Sequence, residues 1–229
     1  MSILRRLGAA FRNAPSTNYP LGKTDPYALL PRDAVLFDIG SKQSGARYQF
    51  GAPPADAKVV CVDIREAPGV DLVADAHDMH MVPDNSVDAV VTISVLEHVN
   101  NPWKVMEEIH RILKPGGIVY VSVPFIFPFH ADPDDYWRFS HKGLEVLCER
   151  FDRVDGGFNR GPASTMCHLL VHFLAIALSF NVDKLYGFNR IFFTWCLFWL
   201  KYLDAVIGRF GTAYIIHTGA FFLGRKPEA

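Results

Sequence analysis

The stretch VADAHDMHMVPDNSVDAVVTISVLEHV, residues 73–99, decides the fold because it carries two apolar runs that each end in a polar residue. The first run, VDLVAD at 70–75, begins three residues before the stretch and ends within it at Asp75, and the second, VDAVVTIS, ends in Ser94. Runs this apolar are typical of parallel strands buried on both faces. We therefore predict two strands here, separated by a polar turn.

Runs of the same kind lie on both sides of this stretch. AVLFDIG at 34–40 and KVVCVDI at 58–64 precede it, and GIVYVSVP at 117–124, FDRVDGGF at 151–158 and TAYIIHTGAFFLGRK at 212–226 follow it. Strands that alternate with helices indicate a parallel sheet with helices on both faces. The predicted fold class is α/β, a Rossmann-like, doubly wound, mostly parallel seven-stranded sheet.

Helix signals separate the later strands. In NNPWKVMEEIHRILKPGG, Asn101 is a plausible N-cap and Pro102 suits the first helical position. A second helix is predicted at about 140–150, capped by Ser140. The apolar face of the first helix is predicted to consist of Trp103, Met106, Ile109 and Leu113, and the helix to end at Gly116 and Gly117.

Two strongly apolar segments, residues 166–180 and 191–207, stand outside this alternation. They predict an apolar helical insertion at 160–209, before the last strand. The rest of the predicted single domain, 1–229, is an N-terminal basic amphipathic segment at 1–30 and a core sheet formed by 31–159 and 210–226.

The insertion raises the question of what covers its apolar surface. Neither segment has the ~20 uninterrupted apolar residues of a spanning helix, and Lys201 and Asp204 interrupt the second. A hairpin dipped into one leaflet of a membrane, a cover over an apolar acceptor, and packing on the sheet or on a second subunit all fit. Residues 1–12, with apolar and arginine residues on opposite helical faces, suit a membrane anchor.

Charge and composition narrow the partners and the compartment. Lys and Arg number 23 against 24 Asp and Glu, a net charge of −1, which excludes a global field that attracts nucleic acid. The N-terminus lacks the apolar region of a secretory signal. The prediction is a cytoplasmic protein, with peripheral attachment to the inner face of a membrane left open.

Ligands of open parallel sheets bind beyond the carboxyl ends of the strands. Asp38 and Gly40 close the first strand, Asp63 the second, and Asp75 with Ala76 the third. Glycine lets the backbone approach a ligand closely. The carboxylate of Asp63 could accept hydrogen bonds from both hydroxyls of a ribose.

Four motifs carry a resemblance to a known family: VLFDIG, VVCVDI, the stretch at 73–99 and RILKPGGIVYVSVP. Over about residues 33–150 the chain resembles the class I S-adenosylmethionine-dependent methyltransferases (methyltransferase type 11). The resemblance implies an S-adenosylmethionine site and, on the substrate side, roles for Glu97 and His98. Lys42 stands where the family usually has glycine. The implied cofactor contacts are Asp38, Gly40 and Gly45 at the methionine moiety, Asp63 at the ribose, Ile64, Asp75 and Ala76 at the adenine, and Ser94 beneath the cofactor.

The loop PFIFPFHADPDDYWRFSH, residues 124–141, supplies candidates for acceptor chemistry. His130 and His98 are candidate general bases, because imidazole titrates near physiological pH. Tyr136, Trp137 and Arg138 could bind the acceptor, or instead pack the loop while Arg138 pairs with a neighbouring aspartate. The acidic residues of the loop match no dedicated metal motif, so no metal is expected.

The predicted function is methyl transfer from S-adenosylmethionine to a small acceptor, or one linked to a lipid or saccharide, at oxygen. The alternative is a non-catalytic protein of the same fold that binds a membrane or a partner. Lys42 motivates this alternative. The absent G-x-G-x-x-G pattern argues against a nicotinamide-dependent oxidoreductase. A homodimer remains open.

Overall fold

The computed structural model describes residues 11, 13–21, 24–40 and 50–228. The predictions made for Lys42 and Gly45, and for almost all of residues 1–12, lie outside these residues. The strands of the described part are β1 Val35–Ile39, β2 Lys58–Asp63, β3 Leu72–Val73, β4 Val87–Ile93, β5 Leu113–Pro124, β6 Asp152–Phe158 and β7 Gly219–Arg225.

Within the described residues these strands form one seven-stranded sheet in the order β3-β2-β1-β4-β5-β7-β6. Pairing is parallel from β3 through β5, and β7 runs antiparallel to β5. The strand order reverses between β1 and β4, which places a crevice beyond their carboxyl ends. The predicted mostly parallel, Rossmann-like sheet is confirmed.

Alternate residues of the central strands enter two buried clusters, one on each face of the sheet. Phe37 and Val90 belong to the larger cluster, whereas Leu36 and Val91 belong to the smaller one. The 3-10 helix Pro26–Leu29 contributes Tyr27 to the smaller cluster. Because both faces are covered, the strands read as continuous apolar runs in the sequence.

The main crossover helix, α1 Pro102–Ile112, packs on the larger cluster. The Asn101 side chain accepts a hydrogen bond from the Lys104 N–H, as predicted. Trp103 was predicted on the buried face but is 47% exposed, and Val105 and Ile112 take part in the core instead. The helix also ends earlier than predicted, because Leu113 already begins β5.

The second predicted helix is α2 His141–Leu147. The Ser140 hydroxyl accepts a hydrogen bond from the Gly143 N–H over 3.1 Å, which confirms the predicted cap. Leu144 and Leu147 of this helix are buried in the larger cluster.

The chain divides into two compact units. The sheet unit comprises the described residues of Gly22–Phe125, Phe129–Gly157 and Gly219–Ala229. The helical unit comprises the described residues up to Leu21, with Ile126–Pro128 and Phe158–Thr218. It contains the predicted insertion at 160–209 but extends beyond it on both sides. The predicted single domain stays a prediction.

The helical unit is built on an antiparallel pair of helices, α3 Pro162–Ala177 and α4 Asp183–Leu197. Asn189 of α4 donates its side-chain amide to the Leu178 carbonyl at 2.9 Å. The 3-10 helices Phe198–Ala205, Ile207–Arg209 and Ala213–Ile215 follow.

Asp204 was predicted only as an interruption of an apolar segment, yet it is fully buried in the helical unit. Its two carboxylate oxygens accept hydrogen bonds from the Ala163 and Ser164 N–H groups, each over 2.8 Å. These donors belong to the first turn of α3, whose N-cap residue Gly161 offers no side chain. Asp204 therefore caps α3 from a distant part of the chain.

Large apolar side chains remain exposed on the helical unit. No helix among the described residues is long and apolar enough to cross a membrane. The most exposed side chains of this group are Phe173, Ile176, Phe180, Val206 and Ile215.

Candidate active site

The carboxyl ends of β1 and β4 approach each other closely in the sheet unit. Gly40 follows β1 with φ +76°, and a Cβ added there would lie 2.2 Å from Cγ2 of Val95. The Gly40 N–H donates to the Val62 carbonyl at 2.8 Å, which ties the turn to β2. Only glycine fits this position, because both its conformation and the space around it exclude a side chain.

Asp63 ends β2, at the position predicted to bind a ribose. Its Oδ1 accepts a hydrogen bond from the Arg65 N–H over 3.0 Å, and Ile64 between them is 63% exposed. Arg65 also forms an ion pair with Asp132, with Nη1 and Oδ1 3.1 Å apart. The loop after β5 therefore reaches the carboxyl end of β2.

Asp75 lies just beyond β3, with Ala76 after it packed against the larger core cluster. Oδ1 of Asp75 accepts hydrogen bonds from the His77 N–H at 2.9 Å and from His77 Nδ1 at 2.7 Å. Burial raises the pKa of the Asp75 carboxyl, but these hydrogen bonds and the nearby charges outweigh it, so the net shift is downward. Asp75 therefore stays an acceptor at neutral pH.

Two further predicted cofactor residues lie on β1 and just after β4. Asp38 is a buried residue of β1. Ser94 follows β4, is exposed, and adopts φ +55°, while its N–H donates to the Ser122 carbonyl at 2.9 Å. Positive φ is uncommon outside glycine and is frequent at functional turns.

The segment 129–139 is held on the turn after β4 by main-chain hydrogen bonds. The Glu97 carbonyl accepts from the Tyr136 N–H at 2.7 Å and from the Trp137 N–H at 3.3 Å. Nδ1 of His98 lies 2.5 Å from the Asp134 carbonyl oxygen. Because a carbonyl oxygen only accepts, Nδ1 of His98 carries the proton, and in the neutral ring Nε2 is an acceptor.

This docking assembles a group of ionisable side chains, which we call the polar centre. Nε2 of His98 lies 3.8 Å from Oε1 of Glu97, and Nε2 of His130 lies 3.7 Å from the same oxygen. The two imidazole rings meet edge to face, with centroids 5.1 Å apart. The polar centre comprises Glu97, His98, His130, Asp135 and Arg138.

Asp135 connects the histidine side of the polar centre to Arg138. Its two oxygens receive the Arg138 guanidinium at 2.5 and 2.6 Å, a bidentate pair. Oδ2 also accepts from the His130 N–H at 2.8 Å and lies 3.4 Å from His130 Nδ1. The hydrogen bonds from Arg138 chiefly lower the pKa of the Asp135 carboxyl, to about 2. The same pairing raises the pKa of Arg138.

Glu97 is the least ordinary residue of the polar centre. Its side chain is fully buried, and neither carboxylate oxygen has a hydrogen-bond partner among the described residues. A buried carboxylate without partners is costly, so such a group usually faces a proton, a cation or a ligand. Here it faces the Nε2 atoms of two histidines.

The predicted acceptor-binding residues take different surroundings. Tyr136 is exposed. The Trp137 indole donates to the Val99 carbonyl at 2.9 Å and packs against the larger core cluster. This agrees with the alternative that Trp137 packs the loop instead of binding the acceptor. The guanidinium of Arg138 is engaged by Asp135. Their roles toward an acceptor stay predictions.

Glu97, His98, His130 and Arg138 were each predicted as site residues, but not as one group. Asp135 was predicted as a loop-ordering acid and as one of two candidate partners of Arg138. The i, i+3 spacing of Asp135 and Arg138 was a usable signal for their pairing. The approach of Glu97 to His130 is long-range and leaves no local pattern.

Residues 38–121 match the family model of the methyltransferase domain. The same residues hold the parallel strands β2 to β4, the turn at Gly40 and the Glu97–His98 pair. Over residues 38–121 this chain therefore resembles the class I methyltransferase domain. S-adenosylmethionine is the cofactor of that class, and the domain's strand ends carry the residues predicted to bind it.

Curated relatives include two human thiol S-methyltransferases. The chain is 38% identical to the human thiol S-methyltransferase TMT1B over 68 residues, which cover 30% of this chain and 26% of the relative. It is 45% identical to human TMT1A over 101 residues, which cover 37% of this chain and 40% of the relative. The matched part therefore spans less than half the length of these relatives.

Solved structures resemble the chain in fold. The [4+2]-cyclase SpnF has a TM-score of 0.58 at 18% identity, covering 99% of this chain and 93% of its own. The putative sarcosine dimethylglycine methyltransferase from Galdieria sulphuraria has a TM-score of 0.53 at 15% identity, covering 97% and 98%. A cyclase among the neighbours illustrates that function must be argued from the site.

Proposed function

We propose that this protein is an S-adenosylmethionine-dependent methyltransferase whose acceptor atom, an oxygen or a sulfur, carries an acidic proton. The acceptor is small, or linked to a lipid or saccharide. The observation that carries the proposal is the His130 imidazole, with its Nδ1 3.4 Å from the buried Asp135 carboxylate and its Nε2 facing Glu97 and His98.

The residues beyond the strand ends suit the cofactor. Asp63 and Asp75 offer carboxylate oxygens for ribose hydroxyls and the adenine edge, and the exposed Ile64 offers an apolar surface between them. When bound, S-adenosylmethionine supplies a methyl group on a positively charged sulfur. The protein then has to align the acceptor with that methyl carbon and keep water out.

His130 is the proposed proton acceptor of this step. The acceptor's proton passes to Nε2 of His130, and the electron pair left on oxygen or sulfur forms the bond to the methyl carbon. The electrons of the broken carbon–sulfur bond remain on sulfur, as S-adenosylhomocysteine is released. Asp135 orients the ring and stabilises the imidazolium, as the aspartate does in a catalytic triad.

Oxygen was the atom predicted from the sequence, and sulfur is a second candidate because the curated relatives are thiol S-methyltransferases. Imidazole takes a proton more readily from a thiol, whose ordinary pKa is about 8.5, than from a phenol near 10. The proposal therefore favours acceptors at the acidic end of either class.

A matched pair of acceptors tests both atoms. Purified protein is incubated with S-adenosylmethionine and either phenol or thiophenol, and S-adenosylhomocysteine and the methylated product are quantified by mass spectrometry. We expect product from at least one acceptor, and a large loss of it in His130→Ala but not in His80→Ala, whose side chain is exposed. Absence of cofactor binding to the unmodified chain would favour the non-catalytic alternative.

We also propose that the exposed apolar side chains of the helical unit contact a membrane surface. Phe173, Phe180 and Val206 are each more than half exposed, and large apolar side chains such as Phe can insert at the boundary between headgroups and acyl chains. Phe173→Ser together with Phe180→Ser should reduce flotation of the protein with liposomes. Protein that stays monomeric without detergent and does not float would contradict this, and a stable dimer would assign the surface to a second subunit.

A further inference from the structure

We infer that Glu97, His98 and His130 form a binding site for a divalent transition metal ion, with Zn²⁺ as the ion that fits best. One ligand atom from each residue lies within 4.8 Å of the others. The site itself rests on geometry alone. Its role toward an acceptor rests on the proposed function.

The positions of charges and protons around His98 point to a cation between the ligands. Because Nδ1 of His98 donates to the Asp134 carbonyl, its Nε2 lone pair points toward a buried carboxylate oxygen 3.8 Å away. Two acceptors that face each other in a buried setting require a positive charge between them. Either a proton on the imidazole or a metal ion supplies it.

Distances favour the metal over the proton. Imidazolium–carboxylate hydrogen bonds close to about 2.7–2.9 Å, whereas Glu97 Oε1 stays 3.7 Å from His130 Nε2 and 3.8 Å from His98 Nε2. Ligands of a tetrahedral Zn²⁺ bound at about 2.1 Å lie roughly 3.4 Å apart. The two separations that involve Glu97 need a shift of only a few tenths of an ångström to reach that geometry, and all three ligand atoms lie within 4.8 Å of one another.

The groups behind the histidines support the same reading. Metal-bound histidines almost always give their second ring nitrogen to a carbonyl or a carboxylate. Nδ1 of His98 meets the Asp134 carbonyl, and Nδ1 of His130 lies 3.4 Å from the Asp135 carboxylate. His98 therefore has the partner that such sites use, and Nδ1 of His130 lies near both the Asp135 carboxylate and Nη2 of Arg138, which is 3.5 Å away.

The ligand set also selects the metal and suggests its use. Two imidazoles and one carboxylate suit Zn²⁺, and three protein ligands leave a fourth position open. A thiol or hydroxyl acceptor bound there would lose its proton to solvent because the metal lowers its pKa. His130 would then be a metal ligand instead of the proton acceptor. Methyl transfer would depend on the metal in this case, but not if His130 is the base.

Metal binding can be measured without any activity assay. Metal-free protein is titrated with Zn²⁺ by calorimetry and with Co²⁺ by visible absorption, which reports coordination geometry. We expect one equivalent of either ion to bind. Glu97→Gln and His130→Ala should each lower the affinity by more than about 100-fold, which exceeds the usual effect of removing only a hydrogen-bond partner of a ligand. His80→Ala, with its exposed ring, is the matched control.

Each outcome can be separated from failure of the proposed function. S-adenosylmethionine binding and thermal unfolding of the variants show whether they remain folded. Absence of metal binding to the unmodified chain, or binding that Glu97→Gln and His130→Ala leave unchanged, would overturn the inference. Methyl transfer by protein that binds no metal would retain the proposed function with His130 as the base.

Discussion

Asp63 is the single residue on which cofactor affinity should depend most. It ends β2 with a carboxylate that accepts the Arg65 N–H, and each oxygen of a carboxylate can accept more than one hydrogen bond. Hydrogen bonds to a charged group contribute about 1.5–3 kcal/mol each. Asp63→Ala should therefore weaken S-adenosylmethionine binding by roughly 10- to 100-fold, as measured by calorimetry.

The control for this variant lies at the opposite end of the same strand. Asp56 is exposed, two residues before β2 begins. Asp56→Ala should leave the affinity unchanged. Equal affinities of the Asp63→Ala and unmodified proteins would remove Asp63 from the cofactor site.

Asp135 should make the stability of the protein depend on pH in the acid range. Its folded-state pKa, about 2, lies below the ordinary value of 3.8, so its contribution is fully present above about pH 4 and is lost as the pH falls through 2. With the side chain buried, that contribution is on the order of 2 kcal/mol. Urea unfolding of Asp135→Asn should show a deficit of this size at pH 7.

The deficit of Asp135→Asn should shrink between pH 4 and pH 2, because protonation removes the same interaction from the unmodified protein. Asp152→Asn, at an exposed position, serves as the control. A deficit that stays constant across this range would mean that the ion pair between Asp135 and Arg138 does not contribute to stability.

At the scale of elements, the turn between β1 and the chain after β4 depends on Gly40. A Cβ there would meet Val95 at 2.2 Å, whereas Gly51 has a similar φ of +85° and nothing within 4 Å. Gly51→Ala therefore measures the backbone cost alone, about 1–2 kcal/mol. Gly40→Ala should cost clearly more in the free energy of unfolding.

A double-mutant cycle isolates the steric part of that cost. Val95→Ala removes the methyl group that Gly40→Ala would strike, so it should bring the cost of Gly40→Ala close to that of Gly51→Ala. If Val95→Ala gives no relief, the close approach of these two turns is not what requires glycine.

The helical unit has its own element-scale dependence on Asp204. Asp204→Ala removes both acceptors of the Ala163 and Ser164 N–H groups and leaves these donors buried. The free energy of unfolding of this helix should fall by about 2 kcal/mol. The change should be seen as faster hydrogen exchange in peptides that cover α3. Asp183→Ala, in the exposed first turn of α4, should cost less than about 1 kcal/mol. Equal exchange in the two variants would contradict the cap.

At the scale of the whole molecule, the strands were predictable because burial on both faces leaves continuous apolar runs in the sequence. Helix caps at Asn101 and Ser140 were predictable because they are local. Trp103 was wrongly predicted to be buried, because it lies at the margin of the apolar face of the helix, where sequence spacing does not determine burial. The Lys114–Gly117 turn was read as a helix end, although β5 already includes it.

The candidate site was predictable only as a set of separate residues. Strand ends identify Asp63 and Asp75, because the carboxyl ends of parallel strands share one edge of the sheet. The joining of Glu97 to His130, and the capping of α3 by Asp204, depend on how distant segments fold back. No short pattern records such contacts.

The place of β7 in the sheet has a consequence for how the protein is made. It pairs with β5 and lies between β5 and β6, although it follows both in the chain and the helical unit as well. During synthesis the parallel strands β1 to β5 can associate while the far edge of β5 stays open. Only β7, which is made after the helical unit, closes that edge and recruits β6. The nascent chain therefore carries an unpaired strand edge, a site where chains aggregate, until β7 has been made.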